Sequence, residues 1–331
     1  LIIKIAVLSY LNEGGTEVTN EKILITGGAG FLGREIISRT YNDNEITVFS
    51  RDEAKHYYLK KFYPRINFIV GDVRDSERLQ RSCRGHTMAI FAASLKQIEA
   101  CDENPQEASR TIIDGSFNSR KAAEDCGMKA ACFISSDKSR AATTVYGAMK
   151  YVAGESFILH TKKDGPRLTT AIYGNVLNST GSVIPLMWNA VKKKQRLSLY
   201  STEMTRFLLT VEDAVSLVLK SLESDITGVN VIPKASSARI IDLFEIFSSK
   251  FGLKYDIHSP RVGEKIHEVM ASEEETRRMK FVEDLGFYIM DQKVEYKQLA
   301  FPGDVYSSKD VCVSKDELER LLADNDYYRE R

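Results

Sequence analysis

Apolar positions along the chain gather into short β-branched runs separated by helix-length stretches. KILIT (22–26), ITVFS (46–50), INFIV (66–70), TMAIFAA (87–93) and AACFI (130–134) read as buried parallel strands. Segments 31–41, 52–62, 75–83 and 106–126 between them predict helices, followed by a helix over 144–163 and a strand LTTAIYG at 168–174. Parallel strands need crossover helices, so the alternation predicts an α/β fold with a doubly wound parallel sheet. After about residue 175 the pattern loosens. Helical stretches at 183–195, 211–222, 240–250 and 314–324 are separated by short strands and Gly/Pro turns, as in a smaller lobe packed on the sheet's carboxyl edge. The chain is thereby divided into an extension (1–20), a sheet region (21–175) and a carboxyl-terminal lobe (176–331).

Charge narrows the partners. Among 331 residues, 46 Lys plus Arg balance 46 Asp plus Glu, which argues against nucleic acid as a partner. The basic run KKKQR (192–196) reads as a solvated helix end. Five cysteines (83, 101, 126, 132, 312) form no C-x-x-C pair, which suits a reducing, cytoplasmic setting. HEVMA (267–271) begins like a zinc-protease helix but has Ala271 where the second histidine belongs, so no metal is expected. The apolar opening of the extension is about nine residues long and includes Lys4, too short to cross a bilayer, and no membrane association is expected.

Candidate chemistry begins at TGGAGFLG (26–33), between the first strand and the first helix. Gly27, Gly30 and Gly33 allow a tight turn and close approach of a pyrophosphate, and the helix start, with Phe31 and Leu32, supplies N–H groups and positive potential. This makes the sheet region a Rossmann-like dinucleotide-binding domain that also carries the catalytic residues. At the tip of the second strand, Ser50 and Arg51 favour NADP, because an arginine can grip a 2′-phosphate bidentately; Asp52 and Glu53 keep NAD possible. Asp72 and Val73 after the third strand, and Ala92 and Ala93 after the fourth, complete the expected cofactor contacts. Tyr146 and Lys150, four apart, share a helix face and suggest a phenol made acidic by a neighbouring ammonium, a general base for a sugar or alcohol hydroxyl.

The glycine pattern together with Y-x-x-x-K resembles the extended short-chain dehydrogenase/reductases. Seven segments in order (FSRDE, GDVRDSERL, AASLKQIEACDENPQEA, SSDK…YGAMK, YGNVLNSTGSVIPLM, MTRFLLTVEDAVSLVL and RVGEKIHEVMASEEE) are similar to the polysaccharide-biosynthesis group typified by UDP-N-acetylglucosamine 4,6-dehydratases. That resemblance implies oxidation of a sugar C4 hydroxyl, elimination of water across C5 and C6, and hydride return to C6. It makes Tyr146 the base at O4, with Lys150 holding the cofactor ribose. Lys138 becomes the C5 base, Asp137 the acid for the 6-hydroxyl, and Ser135 or Ser136 a partner of O4. Lys96, Asn175, Gly181, Ser182, Val183, Arg206, Arg261 and Glu264 become contacts to a UDP-sugar, so the lobe is mainly a nucleotide-sugar site. A homo-oligomer of the soluble, C5-inverting type is implied. The chain departs from the group's pattern at Ser136, Ser139, Ala142, Thr144, Met149, Ile112, Ile172 and Val262. Two alternatives stand beside the dehydratase: an epimerase of the same group, and a non-catalytic NADP-binding sensor or scaffold.

Overall fold

The computed structural model describes residues 18–261, 263–296, 301 and 303–329. Most of the extension, residues 1–17, and Val262 lie outside the described residues. Six strands, β1 (Lys22–Thr26), β2 (Glu45–Ser50), β3 (Asn67–Val70), β4 (Met88–Phe91), β5 (Ala130–Ile134) and β6 (Arg167–Ala171), lie parallel in the order β3-β2-β1-β4-β5-β6. The order reverses between β1 and β4, which opens a crevice at the carboxyl ends of these two strands.

Alternate residues of β1 serve opposite faces. Ile23 and Ile25 join one core with Ile36 and Ile37 of α1 (Phe31–Thr40), while Leu24 joins the other with Leu79 and Phe157. Each such fully buried side chain contributes roughly 1.5–3 kcal/mol. Helices α2 (Glu53–Phe62) and α3 (Ser76–Cys83) start on side-chain caps, Asp52 accepting from Lys55 N–H and Asp75 from Arg78 N–H.

Within the sheet region and its connections the structure differs from the sequence reading at several places. Val18, assigned to the extension, is buried in the core beside β1, so the ordered fold begins before residue 21. A helix not predicted, α4 (Ile98–Glu103), follows β4. The helix expected over 106–126 is α5 (Pro105–Ser109), a π turn (Arg110–Asp114) and α6 (Gly115–Asp125), the π turn accommodating an extra residue beneath α7. That last helix, α7 (Val145–Ile158), stops short of residue 163 because His160 takes a left-handed conformation before a turn at 162–165.

The region after 175 serves two layers. Strand Val229–Pro233 adds parallel to β6, Phe287–Asp291 pairs antiparallel with it, and Met279–Val282 completes a nine-stranded sheet. The remainder has its own core, with α8 (Val183–Lys193) and α10 (Ile240–Phe251) packed around Met187, Phe244 and Phe247.

Candidate active site

The glycine loop is shaped by backbone. Gly27 has φ +69°, its N–H donates to Phe49 O (2.9 Å), and Ala92 and Ala93 back directly onto it. Gly30 is the N-cap of α1, and no side chain among the described residues caps this end. A Cβ on Gly33 would lie 2.4 Å from Gly28 Cα, so only glycine lets the helix start pack on the loop. Phe31 and Leu32 are half-buried there. An uncapped helix end facing a crevice fits a pyrophosphate.

At the β2 tip, Ser50 Oγ pairs with His56 Nε2 (2.6 Å) and Arg51 is exposed, 3.9 Å from Asp72 Oδ2. Asp52 is committed to capping α2 and to an ion pair with Lys55 (2.6 Å). Asp72 is held by Arg74, Nε donating at 2.9 Å and Nη2 at 2.7 Å. Val73 is buried under Gly115.

The charged group converges across the carboxyl end of β5. Thr144 caps α7 by accepting from Gly147 N–H (3.1 Å), the role at a position where the resembled pattern has asparagine. A Cβ on Gly147 would meet Lys138 O at 2.3 Å, so this glycine lets α7 seat Tyr146 against the turn Asp137–Ser139. Asp137 is fully buried. Its N–H donates to Tyr173 O (3.0 Å), and its Oδ1 accepts from Ser136 Oγ (2.9 Å) and Lys138 Nζ (3.2 Å). Its Oδ2 has no hydrogen-bond partner among the described residues. Ser135 instead turns its hydroxyl to Lys150 O (3.4 Å), which leaves Ser136 as the serine beside the acid.

Lys150 is buried and donates to Ile134 O (2.7 Å); burial pulls its ammonium down to about 8. Burial pushes the Tyr146 phenol up to about 12, and Lys138 on the preceding turn and Ser136 pull against that rise.

The sequence reading missed Glu268. It is buried, with Oε1 3.6 Å from Lys138 Nζ and 3.7 Å from Arg206 Nε, and Oε2 3.7 Å from Lys265 Nζ. It sits in HEVMA, where attention to metal spacing hid it. The signal that could have found it is an acidic residue in a segment already expected at the site.

Seven of the eight expected sugar-nucleotide contacts, Asn175, Gly181, Ser182, Val183, Arg206, Arg261 and Glu264, line one cavity of about 270 Å³. Asn175 Oδ1 and Ser182 Oγ are buried without partners among the described residues. Arg206 is largely committed to backbone, its Nη1 donating to Thr205 O (2.7 Å) and its Nη2 to Lys265 O (3.0 Å). Arg261 is paired with Glu99 (2.7 Å) and Glu264 (3.1 Å) and stacks over Tyr200, an apolar wall residue the sequence did not single out. Lys96 stands at the cavity's edge, donating to Thr180 O.

Comparison with known proteins places the chain in a family. The family model described as "Polysaccharide biosynthesis protein" matches residues 23–289. The chain is 34% identical over 265 residues to a UDP-N-acetylglucosamine 4,6-dehydratase (inverting) of Campylobacter jejuni, covering 77% of this chain and 79% of that one. It is 32% identical over 336 residues to a UDP-glucose 4-epimerase of Rickettsia bellii, covering 94% and 98%. Among solved structures, Pen from Bacillus thuringiensis superposes with a TM-score of 0.85 at 27% identity, over 93% of this chain and 99% of that one. No helix among the described residues is long and apolar enough to cross a membrane.

Proposed function

The chain belongs to the polysaccharide biosynthesis protein family, whose relatives are nucleotide-sugar dehydratases and epimerases, and from that premise we propose that it is an NADP-dependent 4,6-dehydratase acting on UDP-N-acetylglucosamine. One observation carries the choice: Asp137, with Oδ2 unpartnered, and Lys138 lie beside Tyr146, so an acid and a further base accompany the oxidising tyrosine. Oxidation at C4 needs one base. Elimination needs two more proton-handling groups, one for C5–H and one for the departing O6.

When bound, the dinucleotide supplies the hydride acceptor and donor. The glycine loop and uncapped α1 would hold its pyrophosphate, Arg51 its 2′-phosphate, and Lys150 its ribose. NADP is favoured because Arg51 is exposed at the strand tip whereas Asp52 is committed to its cap. Tyr146 takes the O4 proton, with Ser136 adjacent. Lys138 takes the C5 proton and Asp137 protonates O6. The cavity with Asn175 and Ser182 would take the nucleotide. Phe117 on α6 and Tyr151 and Val152 on α7 are exposed on two helices that pack together, which supports self-association through that face.

The test is incubation with UDP-N-acetylglucosamine in deuterium oxide. A dehydratase gives a product lighter by one water and deuterated at C5. A product of unchanged mass supports the second reading, a 4-epimerase, which the near full-length match to the Rickettsia enzyme favours. An epimerase would give Asp137 and Lys138 no role in elimination.

A further inference from the structure

Glu268 has no part in the reaction as written above, yet it is built into the site. Its N–H donates to Ser308 Oγ (2.9 Å) and its carbonyl accepts from Ser308 N–H (2.8 Å), which fixes the backbone where the strand Val269–Ala271 packs on the Asp137–Ser139 turn. Three cations surround the buried carboxylate, and Oε2 makes no hydrogen bond among the described residues. Lys138 thus stands between two carboxylates, Asp137 at 3.2 Å and Glu268 at 3.6 Å.

We propose that Glu268 is a positioning residue for elimination: it fixes the Lys138 amine and supplies the constant negative charge that favours its protonated form as it takes the C5 proton. The proposal rests on the dehydratase reading. Lys138 must be neutral to act as a base and Asp137 must be protonated to act as an acid. One proton moving from Lys138 Nζ to Asp137 Oδ1 makes both from the resting ion pair. The amine lone pair then takes the C5 proton, and the C5–H electrons form the C5–C6 double bond. The C6–O6 bond breaks, and Asp137 gives its proton to O6, so water leaves and the ion pair is restored.

Once Asp137 has taken the proton it no longer attracts the forming ammonium, and Glu268 at 3.6 Å remains as the carboxylate partner of Lys138. An opposite charge within about 4–6 Å favours the charged form by roughly 1–3 pKa units. Burial pulls the Lys138 amine down, but Asp137 and Glu268 push it up beyond the ordinary lysine range, with Tyr146 adding to them and Arg206 opposing. Lys265 pairs with the other carboxylate oxygen of Glu268, Oε2 (3.7 Å), and Glu264 reaches Arg206 at 3.4 Å.

Glu268→Gln keeps the volume and removes the charge. Lys138 is 23% exposed and open to an amine-acylating reagent, so its labelling rate against pH can be followed by peptide mass spectrometry without substrate. The Gln variant should label at lower pH than wild type by about one unit or more. Its turnover should fall because the Lys138 amine is no longer held in place, even though the neutral amine forms more easily, and the alkaline limb of the pH profile should move in the same direction as the labelling curve. Glu268→Asp, which keeps the charge, should restore the wild-type labelling curve in large part. Coincident labelling curves for wild type and Glu268→Gln would overturn the proposal. Shifted labelling in a wild-type protein that releases no water from UDP-N-acetylglucosamine would overturn the dehydratase reading and leave the Lys138–Glu268 coupling standing.

Discussion

The glycine-loop crevice and the cluster around Asp137, Lys138 and Glu268 lie at the same carboxyl edge of the sheet but are assembled in opposite ways. The crevice is backbone: Gly27, Gly30 and Gly33 fall within seven residues, and their packing is set by the absence of side chains. The cluster is side chains from far apart in the chain. Asp137 and Lys138 come from the turn after β5 and Tyr146 from α7, Arg206 from the strand Thr205–Leu209, and Lys265 and Glu268 from a segment over a hundred residues beyond α7. A local motif tolerates change elsewhere, whereas a cluster built from separate segments depends on whatever holds those segments together.

Arg140 is such a fastener, and breaking it should have the largest effect. Its buried guanidinium donates to Glu155 (2.7 Å) and Glu275 (2.6 Å), Asn230 also donates to Glu155 (3.1 Å), and Lys265 Nζ donates to the Arg140 carbonyl (2.6 Å). Arg140→Met would leave two poorly exposed carboxylates unpaired, which costs about 3–5 kcal/mol. Urea unfolding should show that loss, and sugar-nucleotide binding should weaken more than dinucleotide binding. An equal loss of both ligands would mean the two regions are not separable.

Arg51→Ala attacks the crevice at the contact proposed for the 2′-phosphate. Charge-assisted hydrogen bonds to a 2′-phosphate contribute roughly 1.5–3 kcal/mol, so NADP should bind about 10- to 100-fold more weakly with NAD little changed. Calorimetry with both dinucleotides checks it; equal weakening would place the 2′-phosphate elsewhere. Gly33→Ala should cost about 1–3 kcal/mol by overpacking, since the new Cβ would press on Gly28 backbone at 2.4 Å. Thermal unfolding of the variant should drop while the Lys138 labelling curve stays in place.

The same contrast explains what could be read from the chain. The parallel strands and the glycine turn were legible because period, turn and helix start are contiguous, whereas the strand order is not written in the pattern. Asp137, Lys138 and Tyr146 stand out as a short motif, but spacing along a helix says nothing of burial, which pushes the Tyr146 phenol up to about 12. Glu268 showed only as an acidic residue within a segment expected at the site. Its place depends on a bridge between Thr205 and His267 and on its backbone pairing with Ser308, both long-range. Nor did the loosened pattern after 175 disclose that Val229–Pro233 and Phe287–Asp291 return to the central sheet.

Lys150 belongs to both regions, and its effect is the smallest and most specific. Burial lowers its ammonium from 10.5 to about 8, with Cys101 opposing. Below about pH 8 the group is charged in both folded and unfolded chains, and the cost of burying that charge is fully present. Between about 8 and 10.5 the unfolded chain binds more protons, so this group's contribution to stability rises with pH across that window. Tyr146, pushed up to about 12, acts in the opposite sense only above its ordinary value of 10, so the measurement belongs below pH 10. Urea unfolding at several pH values between 8 and 10 should show wild type gaining stability relative to Lys150→Met. If Lys150 donates to the cofactor ribose as proposed, saturating dinucleotide should favour its charged form and move the rise to higher pH. A difference between wild type and variant that is flat with pH would mean the Lys150 amine keeps its ordinary basicity. A rise that dinucleotide leaves untouched would remove Lys150 from the crevice and assign it wholly to holding α7 against β5.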